Sequence, residues 1–481
     1  MSPSMNILPT LFVDIFILMA LFVLGLLIVR AFFRRSDWLA LLNLSMGMGA
    51  GVLTWVLFIV SWAGIVINLQ SLIVVYSVLI VVFLCLSKRS GKKTSHGHSD
   101  NDTVERSSML LVNTTRTVRA LVISLIISSV LLSWGLSYHS WDGIAIWAVK
   151  GYGIASEGSI FGAINWGNVG LTFPLNIPLQ VAIFRIVGGD VLPGSKLLFP
   201  AYFVFLLTGC YRFWLKRRMN ILLASLGVLL ISSTPLLFTH ASIGYTNLPL
   251  SFYLISGLLW LIEGLDEEAL NKVALGGLLL ALAVWTRPEG LVLWIAIVIG
   301  VTLGMYVVGR RFSLITYILL PCLIIVVPWF LFMRQHYTPV DEYEASWRAI
   351  QGIARGEIHW EALYRILRYL GGQVLRFKDY GFLLAISTLL FCAGFRLKRV
   401  RTDLVRTILL FSTVMMGLAV VGILYVFAYP PFGIHEVITR LGSDFNRVFM
   451  PPAIAFTSLA FIIFSDFIER SWNKNFGSKP G

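Results

Sequence analysis

Runs of eighteen or more almost uncharged residues recur from one end of this 481-residue chain to the other. Each run matches the length a helix needs to cross about 30 Å of hydrocarbon. A segment in lipid must satisfy its own backbone hydrogen bonds, which leaves helices or closed barrels. Continuous apolar runs, without strict alternation, read as helices. Spans are expected at approximately 10–30, 38–63, 70–87, 118–138, 196–215, 219–239, 247–263, 270–286, 290–309, 313–333, 380–396, 404–428 and 447–466, about thirteen in all. Composition agrees: 57% of residues are hydrophobic and 13% charged, against about 25% charged in soluble chains. The expected class is an all-α polytopic protein, multi-pass in the cell membrane. The net charge of +14 would suggest nucleic acid in a soluble chain. Here Lys and Arg gather in short loops, as they do on the cytoplasmic face, and no nucleic-acid partner is expected. Cys85, Cys210, Cys322 and Cys392 lie in or beside apolar runs, so neither a disulfide nor a metal framework is expected. The first run, Leu11 to Val29, lacks a basic segment before it and a small-residue cleavage site after it, and reads as a retained span.

Charge bias gives the chain two sides. The basic stretches are Arg30–Arg35, Lys88–Lys93 with Arg116 and Arg119, Arg212–Arg218, Arg310–Arg311, Arg396–Arg406 and the tail from Arg470. Placing all of them inside requires an odd number of crossings between His139 and Arg212. The segment Phe173 to Val187 is short, with two prolines and Asn176, and counting it as a span breaks that parity. It therefore reads as a juxtamembrane or re-entrant helix, lining a cavity or buried in protein. The outside segments become 139–194, 239–247, 286–289, 334–379 and 429–446. The expected units are three accessory N-terminal helices (1–87), a polar linker (88–117), a core (118–470) with large outer loops at 139–194 and 334–379, and a basic inner tail (471–481). No internal repeat is evident.

Charged residues are costly near membrane depth, so those that persist there point to function. The outer side holds five groups of them. Trp141-Asp142 begins where a span ends, and on a regular helix Asp142, Ile146 and Lys150 share one face. Thr172-Phe173-Pro174-Leu175-Asn176 bends into the short segment. His240 to Pro249 packs His240, Tyr245 and Asn247 between two spans. Thr286-Arg287-Pro288-Glu289-Gly290 holds two charges with almost no loop. Arg440, Asp444, Asn446 and Arg447 precede the last span, and Arg suits bidentate phosphate contact. Each has a plainer reading as a helix cap, an interfacial anchor or a local ion pair. In the outer loop, Trp360, Leu363, Tyr364, Ile366, Leu367 and Leu370 against Arg365 and Arg368 predict an amphipathic helix, either a cap over the site or a solvated helix.

The order and spacing of these groups resemble the GT-C membrane glycosyltransferases, which include protein O-mannosyltransferases, over roughly residues 118–466. Trp141-Asp142 with Trp147 and Lys150 is similar to the family's first-loop motif. Phe173-Pro174-Leu175 resembles its Tyr-Pro-Leu juxtamembrane helix. Gly244-Tyr245-Thr246-Asn247-Leu248-Pro249 and Thr286-Arg287-Pro288-Glu289-Gly290 resemble its second-loop and T-[RK]-x-E-G motifs. Arg447 looks like its late basic residue. The resemblance implies a GT-C-like fold and an extracytoplasmic active site. It implies transfer of a sugar, with inversion, from a polyprenyl-phosphate donor to a hydroxyl on a glycan, lipid or protein acceptor. Asp142 would be the catalytic base. Lys150, Arg287, Glu289, Arg447, His240, Tyr245 and Asn247 would bind the donor phosphate or substrate. Relatives often carry Asp at the positions of Thr172 and Asn247. Without those acids no divalent metal or other cofactor is expected, since hard cations want carboxylate oxygens. Other classes remain: a transporter or flippase of lipid-linked glycans, an O-antigen ligase or polymerase-like enzyme, and an inactive assembly subunit. A transporter predicts inverted repeats, paired broken helices and charges at mid-membrane.

Overall fold

A computed structural model describes residues 7–33, 37–89, 109–136, 138, 140–167, 172–189, 194–310, 312–336, 350–373, 377–395, 403–428 and 446–476. Most of the polar linker, and Arg440 and Asp444, lie outside the described residues. Among those described there is no strand. In chain order the helices are α1 (Ile7–Phe32), α2 (Trp38–Trp62), α3 (Leu69–Arg89), α4 (Met109–Gly135), α5 (Val149–Glu157), α6 (Gly162–Trp166), α7 (Asn176–Gly188), α8 (Leu198–Lys216), α9 (Ile221–Ser232) and α10 (Pro235–Ile243). They continue with α11 (Asn247–Asp266), α12 (Leu270–Val284), α13 (Glu289–Val308), α14 (Thr316–His336), α15 (Trp360–Gln373), α16 (Phe377–Tyr380), α17 (Leu383–Gly394), α18 (Leu404–Ala428) and α19 (Met450–Phe476).

Ten of the described helices are long and apolar enough to cross a membrane, or eleven if α9 and α10 form one bent span. The chain is therefore an all-α protein with the build of a multi-pass membrane protein. The segment expected as one span at 219–239 is broken: α9 and α10 meet at 62°. Pro235 has no N–H to continue the ladder, and the Thr234 hydroxyl turns back to the Leu230 carbonyl at 3.0 Å. The break carries His240 toward one end of the bundle.

Helix α11 is buried along its whole length and forms the axis of the molecule. Small residues let α2 reach it. A Cβ on Gly49 would lie 1.9 Å from the Leu21 carbonyl oxygen, so α1 and α2 touch backbone to backbone. On its other faces α2 meets Phe252 at Gly47 and Leu282 at Gly51. Asn43 of α2 donates to the Phe205 carbonyl at 2.8 Å and to Ser256 at 3.1 Å, and accepts from Trp260 at 3.1 Å. The helices expected as an accessory unit thus divide. Helix α2 is part of the core, whereas α3 lies at the periphery with little of it buried.

The segment 173–187 forms the 13-residue helix α7, too short for about 20 spanning residues. Its first nine residues are buried, including Asn176 and Gln180. Those two amides need partners at this depth, and neighbouring helices supply them. Asn176 Oδ1 accepts from Thr54 of α2 at 2.8 Å and from Gln180 at 2.9 Å, while its Nδ2 donates to Thr286 at 2.9 Å. Gln180 donates to the Tyr202 hydroxyl at 3.0 Å, which lies 3.1 Å from that of Tyr253. Tyr253 ends the chain of bonds on the Gly47 carbonyl at 2.7 Å.

At the other end of α11, Glu263 is fully buried. Arg212 grips it with two bonds of 2.6 and 3.1 Å, and Lys216 adds a third at 2.8 Å. Arg212 also reaches Asp37 at 3.0 Å and lies 4.1 Å above the Trp260 ring. Glu263 is sixteen residues beyond Asn247, about 24 Å along a helix axis. The two ends of α11 thus carry polar clusters, and the buried hydroxyls of Ser251, Tyr253 and Ser256 lie between them.

Asn176→Leu should lower the unfolding free energy by about 2–3 kcal/mol, because it removes the buried bonds to Thr54, Thr286 and Gln180. Unfolding by SDS titration in mixed micelles measures this. A loss below about 0.5 kcal/mol would mean that the network adds nothing to the fold.

Candidate functional site

Seven of the eight residues named from sequence gather at one end of the bundle, around the ends of α10–α13 and the start of α19, and Lys150 stands behind them. The chain leaves α4 and turns at Ser140, whose hydroxyl donates to the Ile243 carbonyl at 2.8 Å. That bond pins the Asp142 turn to the end of α10. A Cβ on Gly143 would come 2.5 Å from the Ser140 hydroxyl oxygen, so only glycine permits this approach. Gly244, which ends α10, is left-handed at φ +87°, a conformation glycine adopts without strain.

From Gly143 to Ala148 the helix is a wide π turn, with the Val149 N–H bonded to the Ile144 carbonyl five residues back. This corrects the expected single face for Asp142, Ile146 and Lys150. The extra residue per turn rotates Lys150 away from the carboxylate. Asp142 forms an ion pair with Arg447 of the distant α19 approach. Lys150 is fully buried, 5.8 Å from the Phe173 ring centre.

Arg447 also lies 4.9 Å above the Tyr245 ring, whose centre is 5.2 Å from that of His240. Burial, and next the Asp142 charge, raise the Tyr245 phenol above its usual range, so it remains a neutral donor at physiological pH. His240 is buried, and the charges of both Arg447 and Arg287 reach it. The Asp142 and Arg447 side chains are 19% and 15% exposed, so both remain accessible from outside the bundle.

The turn between α12 and α13 forms the adjoining wall. Arg287 holds Glu289 with bonds of 3.0 and 2.7 Å. Its remaining nitrogen donates to Thr246 at 3.0 Å and to Asn247 Oδ1 at 3.1 Å. That bond fixes the Asn247 amide with its NH2 turned away from Arg287. Asn247 Nδ2, Trp147 Nε1 and His240 Nδ1 are buried without a hydrogen-bond partner among the described residues. Trp147 stacks on Phe173 with ring centres 5.5 Å apart, and Arg287 lies 5.7 Å from the first ring and 5.6 Å from the second. The site therefore offers two partly exposed carboxylates, Asp142 and Glu289, three cations in two clusters, and unfilled hydrogen-bonding atoms.

Beyond Phe173 lies an apolar cavity of about 810 Å³. Thr172 and Glu289 bring polar atoms to its lining, while Val292, Trp329, Leu418 and Tyr425 represent its walls from α13, α14 and α18. The outer loop covers it through Ile353, Ile358 and Leu363. The expected helix is present as α15, but it buries Ala362 and Ile366 and exposes Trp360, Tyr364 and Leu367, so only part of its expected apolar face packs inward.

Thr172 and Asn247 occupy the two positions at which the resemblance predicts acids. Asn247 Oδ1 already faces the Arg287 cation, and Thr172 lines the cavity. Among the described residues no three His, Cys, Asp or Glu side chains form a metal-binding group. Sequence reasoning missed Thr54, which reaches this wall through Asn176 and Thr286. It also missed Asp379 and Tyr380, which touch the segment before Arg447. The run Gly47-Met48-Gly49-Ala50-Gly51 was a usable sign that α2 packs closely and belongs to the core. No protein-family model, curated protein or solved structure matches the chain.

Removing the Arg287 charge leaves the largely enclosed Glu289 without its ion-pair partner. Arg287→Ala should cost about 3 kcal/mol, and Arg287→Ala combined with Glu289→Ala should recover most of it. A double-mutant cycle in the same unfolding assay checks the pair; additive losses would mean that Arg287 is held mainly by Thr246 and Asn247.

Proposed function

We propose that the chain is a GT-C-type membrane glycosyltransferase of about thirteen spans, with its site on the extracytoplasmic face. It would transfer a sugar from a polyprenyl-phosphate donor to an acceptor hydroxyl. The observation that supports this reading best is an apolar cavity that adjoins the polar cluster across Phe173. Phe173 lines the cavity on one side and lies beside Lys150 and Arg287 on the other. A ligand with a long hydrocarbon chain and an anionic head fits that sequence of surfaces. Pockets of several hundred Å³ that are mostly apolar, with a few convergent polar groups, are the usual form of such sites.

The residues then take roles. The hydrocarbon lies between α13, α14 and α18. Arg287, Lys150 and Arg447 face the phosphate, and fixed cations in a water-poor site are strong stabilisers of developing negative charge. An Asp142 oxygen takes the proton of the acceptor hydroxyl. The acceptor oxygen bonds to the anomeric carbon from the face opposite the phosphate. The bond from that carbon to the phosphate oxygen breaks, and the lipid phosphate leaves with the electron pair. The anomeric configuration is inverted. Asn247 Nδ2, Trp147 Nε1 and His240 Nδ1 are available to the oxygens of the head group.

The expected outcome is that Asp142→Asn abolishes transfer while leaving insertion and folding intact, and that Arg447→Ala chiefly weakens donor use. Purified protein incubated with a panel of polyprenyl-phosphate sugars, scored for released lipid phosphate, measures both. Transfer at the wild-type rate by Asp142→Asn would remove the base assignment. Movement of lipid-linked sugar across vesicles without any glycosylated product would favour the transporter reading instead.

A further inference from the structure

Arg447 is the most remote member of the site in sequence, 305 positions from Asp142, and its placement requires a cause. The short helix α16 supplies one. The Tyr380 hydroxyl donates to the Asn446 carbonyl at 2.5 Å, and Tyr380 is fully buried. Asp379 accepts from the Asn446 side-chain amide at 2.6 Å. The Tyr380 ring also meets the Phe449 ring edge-on, with centres 5.9 Å apart. These contacts bracket Arg447 at residues 446 and 449.

We propose that Tyr380 and Asp379 are positioning residues that hold Arg447 against Asp142 and Tyr245. The proposal rests on the glycosyltransferase reading for its consequence in substrate binding, but its geometry stands apart from it. A long Arg side chain loses much rotamer freedom when fixed. Holding its backbone on both flanks fixes the point from which the guanidinium reaches the Asp142 carboxylate and the Tyr245 ring. The clamp also links two parts of the outer face. Helix α16 follows α15, and α15 covers the apolar cavity, so the loop that meets the hydrocarbon also fixes the cation proposed to meet the phosphate.

The test uses the full chain in lipid nanodiscs. Two conservative changes separate positioning from packing: Tyr380→Phe keeps the ring and removes the hydroxyl, and Asp379→Asn keeps an acceptor oxygen where Asp379→Ala does not. The first readout is the rate at which phenylglyoxal modifies Arg447, resolved by peptide mass spectrometry. We expect Tyr380→Phe and Asp379→Ala to speed that modification at least fivefold, with Asp379→Asn close to wild type. An unchanged rate at Arg447 in both Tyr380→Phe and Asp379→Ala overturns the proposal. The second readout is the Kd for polyprenyl phosphate alone. Tyr380→Phe should weaken binding at least fivefold in the wild-type background and less than twofold in an Arg447→Ala background, the non-additivity of residues acting through one another. Equal weakening in the two backgrounds also overturns it. If the wild-type protein binds no polyprenyl phosphate, the functional reading fails, and the modification rate alone decides the clamp.

Discussion

The amide of Asn176 is the point on which this arrangement depends. An amide at membrane depth without partners costs several kcal/mol, and a 13-residue helix cannot escape to water at both ends of a bilayer. Helix α7 is stable inside the protein because α2, α8 and α11 present hydroxyls to it. Thr54, Tyr202 and Tyr253 are all fully buried and all bonded. The same amide holds Thr286, the residue before Arg287. One polar network therefore seats the short helix, draws α2 into the core and sets the turn that carries two of the site's charges.

Charge is arranged on the same principle at both ends of α11. At one end Glu263 has three cationic partners within 4 Å, Arg212, Lys216 and Lys272. Both of its carboxylate oxygens are taken up by Arg212 and Lys216, as fits a brace between α8, α11 and α12. At the other end the charges are also paired, Arg287 with Glu289 and Arg447 with Asp142. There, however, buried polar atoms of Trp147, His240 and Asn247 have no partner among the described residues. Native proteins leave few such groups. The contrast separates a cluster built to hold helices together from one with spare bonding capacity.

Much of this was legible in the sequence, and the limits have physical causes. Spans are visible because lipid demands about 20 apolar residues, and sidedness because Lys and Arg mark one face. Those two rules alone removed Phe173–Val187 from the spans and placed Asp142, His240, Tyr245, Asn247, Arg287 and Arg447 at one end. The π turn was not legible. Nothing in Gly143-Ile144-Ala145-Ile146 distinguishes it from an ordinary helix, so Lys150 was placed on the wrong face. The break at Thr234-Pro235 carries a proline signal, but a run of apolar residues on both sides hides it. The role of α2 was hidden for another reason. Its partners Asn176, Phe205, Tyr253 and Ser256 lie more than a hundred residues away, and hydrophobic periodicity carries no record of contacts at that range.

The pairing of Asp142 with Arg447 imposes a constraint on any chemistry at this site. The guanidinium has five N–H donors in a fixed plane, so it can serve a second anion without leaving the first. Such sharing needs Arg447 to be held in place while a second anion binds. An arginine on an untethered loop would follow whichever anion was nearer. The bonds from Tyr380 and Asp379 to Asn446 secure the backbone beside it and leave only the guanidinium to choose.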